Sequence, residues 1–224
     1  MPIRPSIKQL GTSSAIYGFG NLLNKFAAFL LIPIYTRYLS TSDVGVFALL
    51  EMMEILLITL APLGIIRAMW RFFPEGKFDR NQIIISAYVG TMTINIFTLL
   101  IIGFFYRQIS PLLGLHNGQQ TFVLIVLVNV LLMVGSQFII SIWQYQQKAT
   151  HYIVFSVFQF VGILITSSIL IIFFNCGIMG LLLGKTIVLG LTFLISLFFI
   201  FSNFSVTPSY TIWKKLLRYG SPFI

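Results

Sequence analysis

The stretch Gly20–Gly45, GNLLNKFAAFLLIPIYTRYLSTSDVG, carries one charge, Lys25, inside the apolar run that ends at Thr36, ahead of Arg37 and Asp43. A charge near the bilayer centre costs between roughly 2.5 and more than 10 kcal/mol, depending on how it is measured. A chain that keeps such a residue is expected to face it away from lipid. The surrounding composition decides that the solvent is lipid. The 224 residues are 58% apolar, 16% aromatic and 8% charged, whereas soluble domains carry about 25% charged residues. No soluble fold of this length hides so much apolar surface.

Six segments reach the roughly 20 apolar residues that a span needs: 14–36, 44–69, 82–106, 119–142, 152–174 and 177–201. Short polar or turn-forming connections separate them, among them RYLSTSD, WRFFPEGKFDRN and the very tight NCG. The expected fold is therefore all-α, a polytopic membrane protein of six transmembrane helices. Arg4 and Lys8 precede the first segment; it is too long for a signal-peptide core and reads as a retained span. Residues 202–224 read as a cytoplasmic linker and the start of a seventh helix, and Lys215, Leu217 and Ser221 repeat the spacing of Lys8, Leu10 and Ser14. An even number of spans per repeat places two repeats in the same orientation.

The basic residues orient the chain. With a cytoplasmic N-terminus, the inner side holds Arg4, Lys8, Arg71, Lys77, Arg80, Lys148, Lys214, Lys215 and Arg218, while the outer side holds Arg37 and Arg107. This is the positive-inside bias. Trp70, Trp143 and Trp213 all fall at inner interfaces, where an aromatic belt is expected. The net charge of +9 thus reflects topology rather than nucleic acid, for which no basic patch interleaved with exposed aromatics is present. The single cysteine, Cys176, excludes an intrachain disulfide, and no metal or other cofactor is expected.

Three basic residues remain within spans: Lys25, Arg67 and Lys185. Lys25 lies 11 residues beyond Ser14, or about 16 Å deep. In the second span, which runs outside to in, Glu51 and Glu54 are three residues apart and share a face. Glu54 reaches about the depth of Lys25, and consecutive spans usually neighbour each other, so Lys25–Glu54 is the expected contact, with Glu51 beside it. Lys185 enters the sixth span at a level similar to Glu51. Asn21, Asn24 and Lys25 form one stripe at i, i+3 and i+4. Asn95, Asn129, Gln137 and Gln159 add uncharged polar groups, read as glue between helices or as cavity lining. Gly180-x-x-x-Gly184 reads as close helix packing, Arg67 as an interfacial anchor or a phosphate contact, and Pro33 and Pro62 as sites where a helix can kink. A Lys–Glu pair can be a structural clip or can line a water-filled cavity that meets a charged substrate or coupling ion.

No Gly-rich phosphate loop, metal-ligand spacing or long outer loop points to an enzyme. Instead, LLNKFAAFLLIPIYTRYLSTSDVGVFALL (Leu22–Leu50) and LAPLGIIRAMWRFFPE (Leu60–Glu75) resemble the start of bacterial polysaccharide flippases, of the superfamily that also holds multidrug extruders and lipid II flippases. The pattern is an apolar helix ending in P-x-Y-T-R-Y-L-S, then D-x-G-x-[FY], then L-G-x-x-x-A-x-x-R-F-F. It is carried by residues from Pro33 to Phe73, and Leu217–Pro222 resembles the opening of the family's seventh helix.

The resemblance implies one six-helix lobe of a two-lobe transporter working by alternating access in the bacterial inner (plasma) membrane. Its partners would be the lipid bilayer, a C-terminal lobe or a second copy, and a lipid-linked oligosaccharide on undecaprenyl pyrophosphate. It also implies roles for the polar groups. A cavity cation would offset the pyrophosphate charge, with Lys25 first, Lys185 second and Arg67 third. Asn21 and Asn24 would bond sugar hydroxyls, and Glu54 or Glu51 would take up H⁺ or Na⁺ and release Lys25.

The alternatives are a cation-coupled small-molecule or drug extruder of the same superfamily, a truncated remnant that transports nothing, and a membrane glycan polymerase. The last would need a large outer loop, and the longest outer connection is 107–118.

Overall fold

A computed structural model of the chain describes residues 18, 32–33, 36–73, 76, 78–115, 119–204 and 206–220. Eight helices are described and no strand accompanies them among these residues. They are α1 (Thr41–Leu60), α2 (Ile65–Phe72), α3 (Arg80–Phe104), α4 (Tyr106–Leu112), α5 (Thr121–Tyr145), α6 (Ala149–Ile172), α7 (Gly177–Asn203) and α8 (Tyr210–Gly220). Five segments are long and apolar enough to span a membrane: Thr41–Phe72, α3, α5, α6 and α7. The segment read as the first span, 14–36, lies almost wholly outside the described residues.

The S-T-S-D sequence acquires a physical meaning at the start of α1. The Asp43 N–H donates to Ser40 Oγ at 3.1 Å, and the Ser40 N–H and hydroxyl donate to Asp43 Oδ2 at 3.2 and 2.7 Å. This reciprocal box satisfies helix-end donors that would otherwise go without partners, and it places a carboxylate at the positive end of the helix dipole.

The second span is not one kinked helix. It breaks at Ala61–Gly64, where Leu63 and Gly64 take positive φ values of 45° and 67°. Pro62 contributes no N–H to the ladder, and its carbonyl instead accepts the Ile65 N–H at 3.0 Å to start α2. The break has a packing partner. A Cβ on Gly64 would overlap the Gly220 carbonyl oxygen, and one on Gly220 would lie 2.7 Å from the Leu63 oxygen. The two backbones touch there without a side chain between them. Two further contacts hold α8 against α3: the Trp213 ring fills the space a Cβ on Gly90 would need, and the Ser209 N–H donates to Ser86 Oγ at 2.8 Å. Ile212, Leu216 and Gly220 are the buried face of α8, with Lys214, Lys215 and Arg218 exposed opposite them.

α5 is the central post, packing on α1, α3, α6 and α7. Its inner half, with Phe138 and Ile142, joins α2, α3 and α8 in one core cluster. Its outer half, from Val123 to Val134, joins α1, Leu99 of α3 and the start of α7 in a second. Glycines allow the closest approaches, as expected where lipid provides no hydrophobic push between helices. A Cβ on Gly184 would come within 2.6 Å of Ser167, and one on Gly180 within 3.2 Å of Leu170, so the Gly180/Gly184 pair lies at the α6–α7 crossing.

The Gly64–Gly220 crossing generates a stability prediction. Gly64→Ala combines a left-handed backbone with a steric overlap, and strain of this kind costs about 1–3 kcal/mol. Thermal unfolding of the purified protein in detergent should show a lowered Tm. An unchanged Tm would mean that the two backbones are not in contact.

Candidate functional site

The charged site of the bundle lies where α1 meets α7. Lys185 Nζ donates to Glu54 Oε2 at 2.8 Å. Glu54 is 3% exposed on its side chain and Lys185 19%, so the carboxylate is sealed while the ammonium keeps one open side. Glu54 sits one turn from Leu50 and one turn from Leu57, both buried, which turns this face of α1 toward the outer core cluster. Its second oxygen, Oε1, is buried and has no hydrogen-bond partner among the described residues. Glu51 is half-buried one turn earlier on the same helix.

Lys185 is held from behind by its neighbour. The Thr186 hydroxyl is within donating distance of Asn129 Oδ1 (2.7 Å) and of the Leu182 carbonyl (2.8 Å), and Asn129 Nδ2 donates to that same carbonyl at 3.5 Å. These bonds tie α7 to α5 within one residue of the cation and set which way Lys185 can point. The α6 side is fixed similarly: Thr166 donates to the Gly184 carbonyl at 3.0 Å and Gln159 to the Thr192 hydroxyl at 3.3 Å. Asn129 and Gln159 therefore act as glue between helices in this structure. Asn95 does not, since both of its amide atoms are buried without a partner among the described residues.

Lys25, Asn21 and Asn24 lie outside the described residues, and with them the expected Lys25–Glu54 contact. Among the described residues the cation on Glu54 is Lys185, from a helix far away in sequence. Arg67 is exposed on α2, beyond the Ala61–Gly64 break and away from this pair in sequence and core cluster. Thr186 was not legible as a site residue; its only sequence signal is its place beside Lys185.

The arrangement can do two things chemically. An ammonium with an open side can take a second anionic partner, because a charge-assisted hydrogen bond is strong where water is scarce. A carboxylate with one unpartnered oxygen can accept a proton or a small cation, after which its hold on Lys185 weakens. Removing one partner from a buried pair leaves an uncompensated charge and costs about 3–5 kcal/mol, while removing both is much milder. Lys185→Ala should therefore lower the detergent Tm more than Lys185→Ala with Glu54→Ala. Additive losses in that double-mutant cycle would show that the two groups do not interact.

The family described as polysaccharide biosynthesis protein matches residues 10–224 of this chain. No curated protein matches it. Among solved structures, one similar chain is a MOP superfamily transporter from Pyrococcus furiosus Vc1, described with a binding pocket of reversed polarity. Another is a multidrug resistance MATE family transporter of the MOP superfamily in an outward-facing conformation. Each is 16% identical with a TM-score of 0.65 and aligns over 94% of this chain, which spans 48% and 49% of theirs. At that identity the likeness shows the fold, and this chain covers about half the length of either. The protein is a multi-pass, all-helical membrane protein with the fold of one half of such transporters, and it belongs to the polysaccharide biosynthesis protein family.

Proposed function

We propose that the chain is the N-terminal lobe of a flippase in the bacterial inner membrane. It would move a lipid-linked oligosaccharide, carried on undecaprenyl pyrophosphate, to the outer leaflet for surface polysaccharide synthesis. The observation that carries this reading is Lys185, a partly open ammonium within the membrane, paired to one carboxylate oxygen. A pyrophosphate crossing a low-dielectric region needs a cation to offset its charge, and Glu54 occupies the place of that anion while the substrate is away. Uptake of H⁺ or Na⁺ by Glu54, with Glu51 one turn off, would free Lys185 for the substrate. Lys25, Asn21 and Asn24 are proposed to extend the same polar path, and Arg67 to meet lipid phosphate at the inner surface. A second lobe, C-terminal or from another copy, would complete the cavity.

The second reading is a cation-coupled drug extruder. It is favoured by the multidrug resistance of one structural relative and by the sealed carboxylate of Glu54, which would then be the primary site.

The two readings separate in one experiment. Lys185→Ala is placed in the complete protein, expressed in cells lacking their own flippase, with membrane levels checked by immunoblot. Surface glycan should fall about tenfold or more, as expected for losing one charge-assisted contact worth about 1.5–3 kcal/mol. Unchanged glycan at normal protein level, with loss of resistance to cationic drugs in Glu54→Gln, would favour the extruder instead.

A further inference from the structure

One face of α3 carries polar atoms that have no hydrogen-bond partner among the described residues. Tyr88, Thr91 and Asn95 follow each other at i, i+3 and i+7 and so share that face. All three are buried, at 2%, 0% and 0% exposure. The Tyr88 hydroxyl, the Thr91 hydroxyl and both amide atoms of Asn95 have no hydrogen-bond partner among the described residues.

Thr91 shows that this is not a general habit of the bundle. Thr59, Thr93, Thr166, Thr186 and Thr192 each donate back to the carbonyl four residues earlier in their own helices. The Thr91 hydroxyl makes no such bond among the described residues. Orphan donors and acceptors are penalised most where no bulk water can reach them, and such groups are ordinarily met by ordered internal water.

The position of the face gives it a direction. Tyr88 lies eight residues from the inner end of α3 and Asn95 fifteen, or about 12 and 22 Å along the helix. A hydrocarbon core is about 30 Å thick, so the orphan atoms run from the inner half past the middle. Leu99, one turn beyond Asn95, packs in the same core cluster as Leu50 and Leu57, the residues that flank Glu54. Glu54 Oε1 likewise has no partner among the described residues.

We propose that Tyr88, Thr91 and Asn95 form a water-binding seam inside the lobe, leading from the inner half of α3 toward the unpartnered oxygen of Glu54. Ordered waters along it satisfy the four side-chain atoms of α3, and at its outer end they hydrate the carboxylate that holds Lys185. The charged groups around Glu54 among the described residues are Lys185 on α7 and Glu51 on α1 itself; α5 presents none. The seam therefore gives a sealed carboxylate a connection to one side of the membrane. Its use in transport rests on the flippase reading, whereas the seam itself does not.

The test is radiolytic labelling of the complete protein in lipid nanodiscs, with a short X-ray pulse in ¹⁸O-water and mass spectrometry of the peptides. Hydroxyl radicals form on internal water and oxidise the side chains beside it. Met69 is the internal control, being 0% exposed and an easily oxidised side chain. Tyr88 should take up ¹⁸O several-fold faster than Met69, and labelling no faster than Met69 would overturn the seam. Thr91→Val with Asn95→Leu should then cause a several-fold loss of label at Tyr88. Persistence of the label in a variant that keeps its Tm would show that these residues do not bind the water. Glu54→Gln should leave Tyr88 labelling intact, so a failure of the flippase reading and a failure of the seam give different results.

Discussion

In the bilayer core no bulk water reaches a polar group that the protein leaves without a partner, and most of this lobe follows from that constraint. It selects helices, since each helix closes its own backbone hydrogen bonds. It also removes the hydrophobic drive that packs helices in water, leaving van der Waals contact and interhelical hydrogen bonds to do the work. The glycines at the α6–α7 and α2–α8 crossings answer the first need by bringing backbones together. Thr166, Gln159, Asn129 and Ser196 answer the second, each bonded to a neighbouring helix. The α1 capping box does the same for a helix end, where the Ser40 and Asp43 N–H groups each find a side-chain acceptor.

How much of this was legible depended on the range of the interaction. The apolar segments from 82 onward coincide closely with α3, α5, α6 and α7, because length and hydropathy are local properties. The interruption at Pro62 was also local, although the completeness of the break was not. It needs Gly64 at positive φ and a partner backbone, Gly220, more than 150 positions away. The Lys185–Glu54 bond was not legible for the same reason. The rule that neighbours in sequence are neighbours in space led from Glu54 to Lys25. Lys25 lies outside the described residues; among those described, the bundle brings α7 against α1, and Lys185 meets Glu54. Asn129, Asn95 and Gln159 look alike as single polar residues in apolar runs, yet two are bonded across helices and one has no partner among the described residues. Only the face each one presents distinguishes them.

The location of the ion pair is itself informative. α7 is fastened to α5 and α6 along its length by Thr186, Ser196, Thr166 and Ser167, and it crosses both at glycines. Its meeting with α1 is sparse by comparison, and α1 is among the least buried of the spans. Among the described residues, the Lys185–Glu54 bond thus ties a closely packed three-helix group to a helix that meets it mainly through α5. Interactions that fasten well-packed helices can be lost with little movement, because the packing remains. An interaction that bridges a loosely packed boundary has more influence, since it decides whether the boundary is closed.

The break after α1 strengthens that argument. A continuous helix would transmit any displacement of α1 directly to the inner end of the bundle. The turn at Ala61–Gly64 instead divides the span between two core clusters, α1 with the outer and α2 with the inner, where α2 is clamped by α3 and α8. Motion at the Glu54 level can then be absorbed at Leu63 and Gly64 without unpacking Ile65, Ala68 and Met69 from the inner core. The Gly220 contact has the opposite effect on the chain that leaves α8. Because no side chain lies between the Gly64 and Gly220 backbones, a shift at the end of α8 meets the break directly. The helix that carries Glu54 and the end of α8 therefore meet at the same four residues, Ala61–Gly64.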